Sequence, residues 1–289
     1  MVNYEEDMYL DAIRYVIDKG DDIADRTGTG TKSVFGYQFR YDIRNKFPAI
    51  TTKKLAWKGV VSELLWFLEG STDERRLAEI LYEDSRDNLI GKKTIWTANA
   101  DAQGKSLGYT NTDTVKELGP VYGAQWRNFN GVDQIEKVIS QLKTDPNSRR
   151  IILSAWNPKE IDNMALPPCH SICQFNIVNG KLSCQLYQRS LDLGLGASFN
   201  IASYSLLIYV IAQICSLQPG EFIHTVGNMH VYNDHIPGLE EQLKRNTFPF
   251  PTLKLPKFSS LEEVLSTKPS DYILEDYKYH PPIKMKMSV

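Results

Sequence analysis

The residue best suited to chemistry in this sequence is a cysteine that directly follows two prolines. In the segment ALPPCH at 165–170, the proline rings stiffen the backbone on the approach to Cys169. A cysteine reacts through its thiolate, which nearby positive charge favours. The arginines that could supply this charge, if folding brings them together, are Arg26, Arg149, Arg150 and Arg189. From these residues alone, Cys169 can be interpreted either as an inert buried cysteine or as a functional thiol.

Several familiar motifs are incomplete in this sequence. GTGTKS at 28–33 superficially resembles a phosphate-binding P-loop, but its glycine and lysine spacing fails. Gly194 and Gly196 do not complete GxGxxG, and the sequence has no GxSxG motif. His230 and His235 lack the HExxH or paired-cysteine context of zinc sites, so we predict hydrogen-bonding roles and no metal. These patterns disfavour a nucleoside triphosphatase, a dinucleotide-dependent enzyme and a serine hydrolase.

Composition and charge narrow the class of protein further. With 42% hydrophobic and 24% charged residues among 289, the chain resembles ordinary globular proteins. A net charge of -2 argues against a surface built mainly for nucleic acid or acidic lipid, so we predict no nucleic-acid requirement. The four cysteines lack CxxC spacing and the first residues are acidic, which predicts reduced thiols in the cytoplasm. We also expect no membrane, because no apolar run approaches the roughly 20 residues that a spanning helix requires.

Hydrophobic periodicity and turn residues predict the elements that would position these groups. Apolar residues at helical spacing predict a helix over 3–19, and Gly20 marks its end. Residues 58–68 are apolar on nearly all sides, which is typical of a buried helix and places Glu63 inside it. The pair Asn179-Gly180 predicts a tight hairpin. Further predictions are strands over 33–41, 151–156, 172–178, 182–188 and 221–232, helices over 133–143, 201–217 and 236–244, and a capping box at 260–263.

The remaining stretch, 83–119, is polar and irregular, and it contains Trp96. It predicts loops and short helices, which often carry function. Since the sequence has no repeat or linker, we treat residues 1–289 as a single α+β domain.

Three motifs carry a specific resemblance to a known family. LPPCH at 166–170, QLYQRS at 185–190 and FNIASY at 199–204 stand in the order and spacing of folate-dependent thymidylate synthases. Other matching segments are RTGTGT at 26–31, TTKK at 51–54, ELLWF at 63–67, LGPVYG at 118–123, SAWNP at 154–158, HVY at 230–232 and PIKMKMSV at 282–289. The resemblance covers essentially the whole chain. It implies a single domain with a large mixed sheet packed by helices, in which one sheet face forms a homodimer interface.

The resemblance also implies a reaction: methylation of dUMP at C5, with 5,10-methylenetetrahydrofolate as co-substrate and dihydrofolate as by-product. Cys169 would add to C6 of uracil, because C5 becomes nucleophilic only after such an addition. Glu63 would organise waters near O4, and Tyr122 would help to move the C5 proton. Asn200 would hold N3 and O4, and its amide fits uracil better than cytosine. Asp192 would accept a hydrogen bond from the pterin.

The remaining ligand contacts are likewise implied by resemblance. The nucleotide phosphate would meet Arg26, Arg189 and Ser190, together with Arg149 and Arg150 donated by the partner subunit of a homodimer. His230 and Tyr232 would hold the ribose. For the reduced folate, the residues implied are Ile95, Trp96, Leu195, Gly196 and Phe199 as a stacking wall, Lys53 for the glutamate tail and Val289 as a closing lid.

Three residues depart from the family pattern, and two rival functions follow from the same residues. Ser198 replaces a usual proline, Thr97 a usual aspartate, and Asn228 a common aspartate. One rival is a dUMP hydroxymethylase of the same fold, in which water quenches the intermediate that Trp96 would otherwise shield. The other is a noncatalytic nucleotide- or RNA-binding protein, which would not need the nucleophile Cys169.

Overall fold

The computed structural model describes residues 3–24 and 28–287, so Arg26 and Val289, both predicted to bind ligands, lie outside the described part. The helices are α1 (Tyr4–Lys19), α2 (Trp57–Glu69), α3 (Glu74–Tyr82), α4 (Thr97–Asn99), α5 (Gly123–Arg127), α6 (Gln134–Thr144), α7 (Gly196–Ile214), α8 (Ile236–Gln242) and α9 (Leu261–Leu265). The strands are β1 (Asp21–Ile23), β2 (Thr31–Asp42), β3 (Ile152–Ser154), β4 (His170–Val178), β5 (Lys181–Asp192), β6 (Gln218–Tyr232), β7 (Thr252–Lys254) and β8 (Ile273–Glu275).

The main sheet is mixed, as the resemblance implies. Its strand order is β1-β2-β6-β5-β4-β3, while β7 and β8 pair separately. Strands β5 and β6 run parallel, and the other neighbours in the main sheet are antiparallel. In this register Asp192 lies opposite His230, near the ends of both parallel strands. The sheet therefore brings two predicted site residues to one edge.

The hairpin between β4 and β5 turns at the predicted dipeptide. Asn179 and Gly180 have φ angles of 50° and 70°, which is the left-handed region that a two-residue hairpin turn of this kind requires. The turn fixes the pairing of β4 with β5, so that His170 lies opposite Gln188. The hairpin prediction is confirmed, and its register places Cys169 beside β5.

Two apolar helices form much of the core behind the sheet. Residues 60–68 of α2 are buried, and they include Glu63. In α7, most residues are buried among the core side chains. By length and composition alone α7 could cross a membrane, so the expectation that no apolar run approaches that length was wrong. Because 83% of its apolar window is buried within the fold, we interpret α7 as a core helix.

The opposite face of the sheet is exposed in the described chain. Side chains alternate along β4 and β5, so Cys173 and Leu186 point into the core while Ile172 and Tyr187 point outward. Ile172 and Tyr187 are 39% and 41% exposed. This outward face mixes apolar side chains with glutamines such as Gln185. The resemblance predicts that one sheet face forms a dimer contact, without saying which.

Some elements differ from the sequence-based predictions. The capping box is only half formed, because Ser260 accepts from the Glu263 amide while the Glu263 carboxylate accepts from the Ser259 amide at 2.6 Å. The helix α3 and the short strands β1, β7 and β8 were not predicted. Asp73 caps α3 through a 3.0 Å hydrogen bond from the Arg75 amide. The segment 83–119 is irregular, as predicted, and it includes the short helix α4.

Candidate active site

The parallel strands β5 and β6, the start of β4 and the start of α7 converge on a cavity of about 400 Å³. The predicted residues that line it are Cys169, Glu63, Tyr122, Asn200, Asp192, Arg189, Ser190, His230, Tyr232, Ile95, Trp96, Leu195, Gly196 and Phe199. The fold therefore gathers residues that are spread over 170 positions of sequence into one site. Sequence reasoning assigned no role to further lining residues, which are Phe67, Asn99, Leu166, His170, Gln188 and Met287.

Arg189 holds the backbone segment that precedes Cys169. The Arg189 guanidinium donates to the carbonyls of Pro168 at 2.9 Å and Pro167 at 2.8 Å. The Arg189 amide also donates to the Cys169 carbonyl at 2.9 Å. These bonds place a permanently charged guanidinium against the backbone that leads to Cys169, and positive charge near a thiol favours its thiolate. The two prolines and Arg189 thus hold the cysteine at the cavity wall.

Tyr122 holds the other side of Cys169. Its hydroxyl oxygen accepts from the Cys169 amide at 2.8 Å. Its ring stacks on Phe67 with a centroid separation of 4.8 Å. Tyr122 has a φ of 20°, which lies at the border of the left-handed region and is strained for a bulky residue. Burial, reinforced by the charge of a Cys169 thiolate, raises the pKa of Tyr122 well above its ordinary value, so the phenol keeps its proton at neutral pH.

Glu63 is a buried carboxyl with one described side-chain partner. Only 4% of it is exposed, and the Trp96 indole nitrogen donates to its Oε1 at 2.7 Å. Burial raises the pKa of Glu63 to about 7, and the hydrogen bond from Trp96 opposes that rise. A carboxyl with this pKa can both donate and accept a proton at neutral pH.

Asn200 is oriented by a relay of side chains. Gln188 Nε2 donates to Asn200 Oδ1 at 3.0 Å, and His224 Nε2 lies 2.8 Å from Gln188 Oε1. Burial lowers the pKa of His224 to about 3, so its ring is neutral and its Nε2–H donates to the glutamine. The relay fixes which end of the Asn200 amide is the acceptor. Ser198, at the position that departs from the family pattern, is buried in the first turn of α7.

Asp192 anchors the loop that leads into α7. Its carboxylate accepts from the amides of Gly194 at 2.8 Å, Leu195 at 3.0 Å and Gly196 at 3.3 Å. Burial opposes ionisation, but His235 and the Leu195 amide together hold the pKa of Asp192 below its ordinary value. Asp192 is therefore an ionised acceptor at the cavity wall.

The C-terminal segment of the described chain lies beside the loop that Asp192 anchors. The His235 ring nitrogen Nε2 lies 2.7 Å from the Lys286 carbonyl, and its Nδ1 lies 3.7 Å from Asp192. The next residue, Met287, lines the cavity. His235 thus connects the tail to the Asp192 loop.

Three predicted residues are described but do not line the cavity. Lys53 is buried and donates to the Gly194 carbonyl, and burial lowers its pKa to about 8. Arg149 and Arg150 are exposed. Ile152, just beyond them, pairs with Gln174, which is four residues along β4 from His170 and hence about 13 Å from the cavity edge. Arg149 and Arg150 precede Ile152, so they lie farther than Ile152 from this cavity edge along the direction of the strand.

The ribose-binding prediction concerns His230 and Tyr232 at the end of β6. His230 Nδ1 lies 2.9 Å from Asn228 Oδ1, so the departure to asparagine keeps an acceptor beside the histidine. The rings of His230 and Tyr232 meet edge to face at 5.3 Å.

Among the described residues, no cluster of three His, Cys, Asp or Glu side chains is arranged to hold a metal ion.

The fold and the site define an enzyme-like cavity at the end of a mixed sheet, with a cysteine in its wall. A family model for thymidylate synthase matches residues 7–289. The thymidylate synthase of Homo sapiens is 48% identical, over 97% of this chain and 90% of the human protein. That of Enterobacteria phage T4 is 47% identical, over 97% of this chain and 99% of its own length.

A third relative, the bifunctional dihydrofolate reductase-thymidylate synthase of Zea mays, is 47% identical over 99% of this chain and 55% of its own length. This chain belongs to the thymidylate synthase family.

Proposed function

We propose that this protein is a methyltransferase that converts dUMP to dTMP, with 5,10-methylenetetrahydrofolate as co-substrate and dihydrofolate as the second product. The observation that carries the proposal is that one cavity of a thymidylate synthase family member contains Cys169, Tyr122, Glu63 and Asn200 together. A hydroxymethylase is not favoured, since the named relatives are synthases. A noncatalytic binding protein would not need this set of groups.

The first chemical step is assigned to Cys169. Its thiolate adds to C6 of uracil, which makes C5 nucleophilic. Arg189 supports the thiolate by its charge, and Tyr122 fixes the backbone through the Cys169 amide. Because the pKa of Tyr122 is raised, its phenol passes a proton near C5 as a hydrogen-bonded relay and does not act as a free base.

Glu63 and Asn200 would stabilise the negative charge that develops on the pyrimidine. The negative charge moves from C5 to O4 as the ring is activated, so donors near O4 lower the barrier. Glu63, with its pKa of about 7, exchanges a proton with water at this position. Asn200, oriented by Gln188, offers its Oδ1 to N3–H and its Nδ2 to O4.

The folate fits against the apolar part of the cavity. Ile95, Trp96, Leu195 and Phe199 form the wall on which the pterin stacks, with Gly196 allowing close approach. Asp192 is ionised and accepts from the pterin. When bound, the co-substrate supplies a one-carbon unit and a hydride. Lys53 would reach the glutamate tail only after leaving Gly194, and Val289 would close the site from beyond the described residues.

The phosphate site is proposed to be shared between two subunits. Arg189 and Ser190 line the cavity, and Arg26 is assigned to the same phosphate. Arg149 and Arg150 precede β3, are exposed and do not line the cavity of their own chain, which supports donation across a two-fold interface. The exposed sheet face that includes Ile172 and Tyr187 is the proposed contact, and the active protein is a homodimer. We place it in the cytoplasm, in keeping with its four thiols.

The activity is tested by following dihydrofolate absorbance with dUMP and methylenetetrahydrofolate, and with dCMP in parallel. We expect dihydrofolate and dTMP to form in equal amounts from dUMP, and neither product to form from dCMP. The Cys169→Ala protein serves as the blank. Consumption of dUMP without dihydrofolate would contradict the proposed function.

The shared site is tested by mixing subunits. Arg149→Glu and Cys169→Ala homodimers should each be nearly inactive, and equal amounts are unfolded and refolded together. Random pairing puts about half of the chains into mixed dimers, each with one intact site, so about a quarter of all sites should recover. A Lys137→Glu homodimer, with an exposed charge reversed elsewhere, controls for the change of charge. No recovery, with mixed dimers confirmed by mass, would exclude donation across the interface.

A further inference from the structure

Behind the cavity lies a buried ion pair at the start of α3. Glu74 and Arg75 are exposed by only 0% and 2%. Arg75 donates to the Glu74 carboxylate from Nε at 2.6 Å and from Nη2 at 2.7 Å, and its Nη1 donates to the Leu89 carbonyl at 3.2 Å. A buried pair of this kind is weak evidence for stability, because apolar residues of similar size often serve as well. Its further contacts indicate what it holds in place.

The Glu74 carboxylate also accepts from the turn that carries Trp96. The hydroxyls of Thr94 and Thr97 donate to Glu74 Oε1 at 2.7 Å and 2.5 Å. The same hydroxyls hold the turn's backbone, since Thr94 Oγ1 accepts from the Trp96 amide at 3.1 Å and Thr97 Oγ1 accepts from the Thr94 amide at 2.8 Å. Trp96 thus lies between two residues that are tied to one carboxylate.

Neither Glu74 nor the two threonines line the cavity. Trp96 does, and its indole donates to Glu63 at 2.7 Å. A continuous series of hydrogen bonds therefore runs from Glu74, through Thr94 and Thr97, to the residue that contacts Glu63. Small displacements of such a residue are enough to change a reaction.

We propose that Glu74 is a positioning residue for the reaction: through Thr94 and Thr97 it fixes the Trp96 indole against Glu63 at the cavity wall. The inference rests on the proposed function and deepens it, because this wall separates the reacting carbon from water. It gives Thr97, the departure from the family pattern, a partner in this chain.

The proposal predicts which product forms. A methylene group on C5 that takes up a hydride from tetrahydrofolate becomes the methyl group of dTMP, and the folate leaves as dihydrofolate. If water adds to that methylene instead and loses a proton, the nucleotide becomes 5-hydroxymethyl-dUMP and the folate stays as tetrahydrofolate. The ratio of dihydrofolate formed to dUMP consumed is therefore one for methylation and falls when water enters. This ratio does not depend on how much of the protein is active.

The test removes the hydrogen bonds between Glu74 and the turn that carries Trp96, and it leaves both Glu74 and Arg75 unaltered. Thr94→Val and Thr97→Val are made together, because Glu74→Gln would leave Arg75 buried without its charge partner and could prevent folding. Thr114→Val, an exposed threonine in the same irregular segment, is the matched control. We expect the double variant to lower kcat for dTMP by about tenfold to a hundredfold, to shift product toward hydroxymethyl-dUMP and to leave the KM for dUMP nearly unchanged.

A second measurement does not require activity. In protein labelled with ¹⁵N at the indole, the Trp96 resonance is assigned with Trp96→Phe and compared between variants. A carboxylate partner deshields an indole N–H, so the resonance should move upfield in the double variant and stay in place in Thr114→Val.

An unmoved resonance would overturn the positioning role, even if the protein proved to have another activity. A moved resonance with unchanged kcat and product ratio in an active enzyme would overturn the link to the reaction. Absence of dihydrofolate from the unaltered protein would instead refute the proposed function.

Discussion

The two walls of the cavity are held in place by different interactions. The nucleotide wall consists of Cys169, Arg189, Ser190, Asn200 and His230. It rests on the start of β4, on β5 and β6, and on the start of α7, and hydrogen bonds to neighbouring groups fix its polar side chains. The folate wall consists of Ile95, Trp96, Leu195 and Phe199, and it is mainly apolar.

This difference separates two kinds of contribution. A preorganised polar group acts on charge that develops in the transition state, so its loss costs rate. An apolar contact contributes in proportion to the area it buries, so its loss costs mainly affinity. Ile95 is 47% exposed before any ligand binds, which leaves surface for a ligand to cover. Apart from Trp96, whose indole donates to Glu63, substitutions in the folate wall should therefore have much smaller effects on turnover than substitutions in the nucleotide wall.

The largest effect is expected from Cys169→Ala. Without the thiol, the pyrimidine is not activated, and kcat should fall by at least about ten-thousand-fold. Binding of dUMP should persist, because the phosphate and ribose contacts remain. Turnover assays together with calorimetric titration of dUMP separate these two quantities, and substantial residual turnover would exclude Cys169 as the nucleophile.

The next effect concerns the choice of base. In Asn200→Asp, an ionised carboxylate cannot donate to O4 of uracil but can accept from the amino group of cytosine. The ratio of kcat/KM for dUMP to that for dCMP should fall by about a hundredfold or more. If the ratio stays constant, Asn200 does not read the base.

A smaller loss of rate, about a hundredfold, is expected for Glu63→Gln, which keeps the shape of the side chain but removes its titration. The variant also tests the raised pKa. The folded-state pKa of about 7 lies above the ordinary 4.5, so the protonated carboxyl's contribution to stability is complete below pH 4.5 and is lost as pH rises through 7.

Relative to the glutamine variant, the unaltered protein should therefore lose roughly 3 kcal/mol of unfolding free energy between those two pH values. Urea unfolding at both values measures the difference. Parallel stability curves for the two proteins would show that Glu63 has an ordinary pKa.

The smallest effect is expected in the folate wall. Ile95→Ala removes apolar area at a partly exposed position, so the KM for the folate should rise by about tenfold or less, while the KM for dUMP stays the same. Initial-rate kinetics with each substrate varied in turn provide the test. A loss of kcat as large as that of Glu63→Gln would show that the two walls do not differ in the way described.

Local patterns were sufficient to predict much of the fold. The helix α1, the turn at Asn179 and Gly180, and the buried helix α2 all follow from spacing or turn chemistry within a few residues. The helix α3 was not predicted, because its buried charged residues Glu74 and Arg75 resemble a solvated surface until distant partners are known. The strands β1, β7 and β8 have only three residues each, which is too short for a periodic signal.

The site likewise contains residues that local motifs predict and residues whose roles depend on distant contacts. Motifs that contain Cys169 and Asn200 could be recognised directly, whereas the role of Gln188 depends on a contact between β5 and α7. Gln188 lies inside the motif QLYQRS, so the signal was present, but nothing local indicated that its amide would orient Asn200. The buried contact of Lys53 with Gly194 joins residues 141 positions apart, and no local pattern predicts such a pair.

The central claim is that Cys169 is the nucleophile of a dUMP-methylating site, and covalent trapping tests it most directly. The protein is incubated with 5-fluoro-dUMP and methylenetetrahydrofolate, digested and mapped by mass spectrometry. Because fluorine at C5 cannot leave as a proton does, the reaction should stop with the nucleotide bonded to the enzyme. The account predicts one adduct per site, on the peptide that contains Cys169. An adduct on Cys173, Cys184 or Cys215, or no adduct in a protein that turns over dUMP, would contradict it.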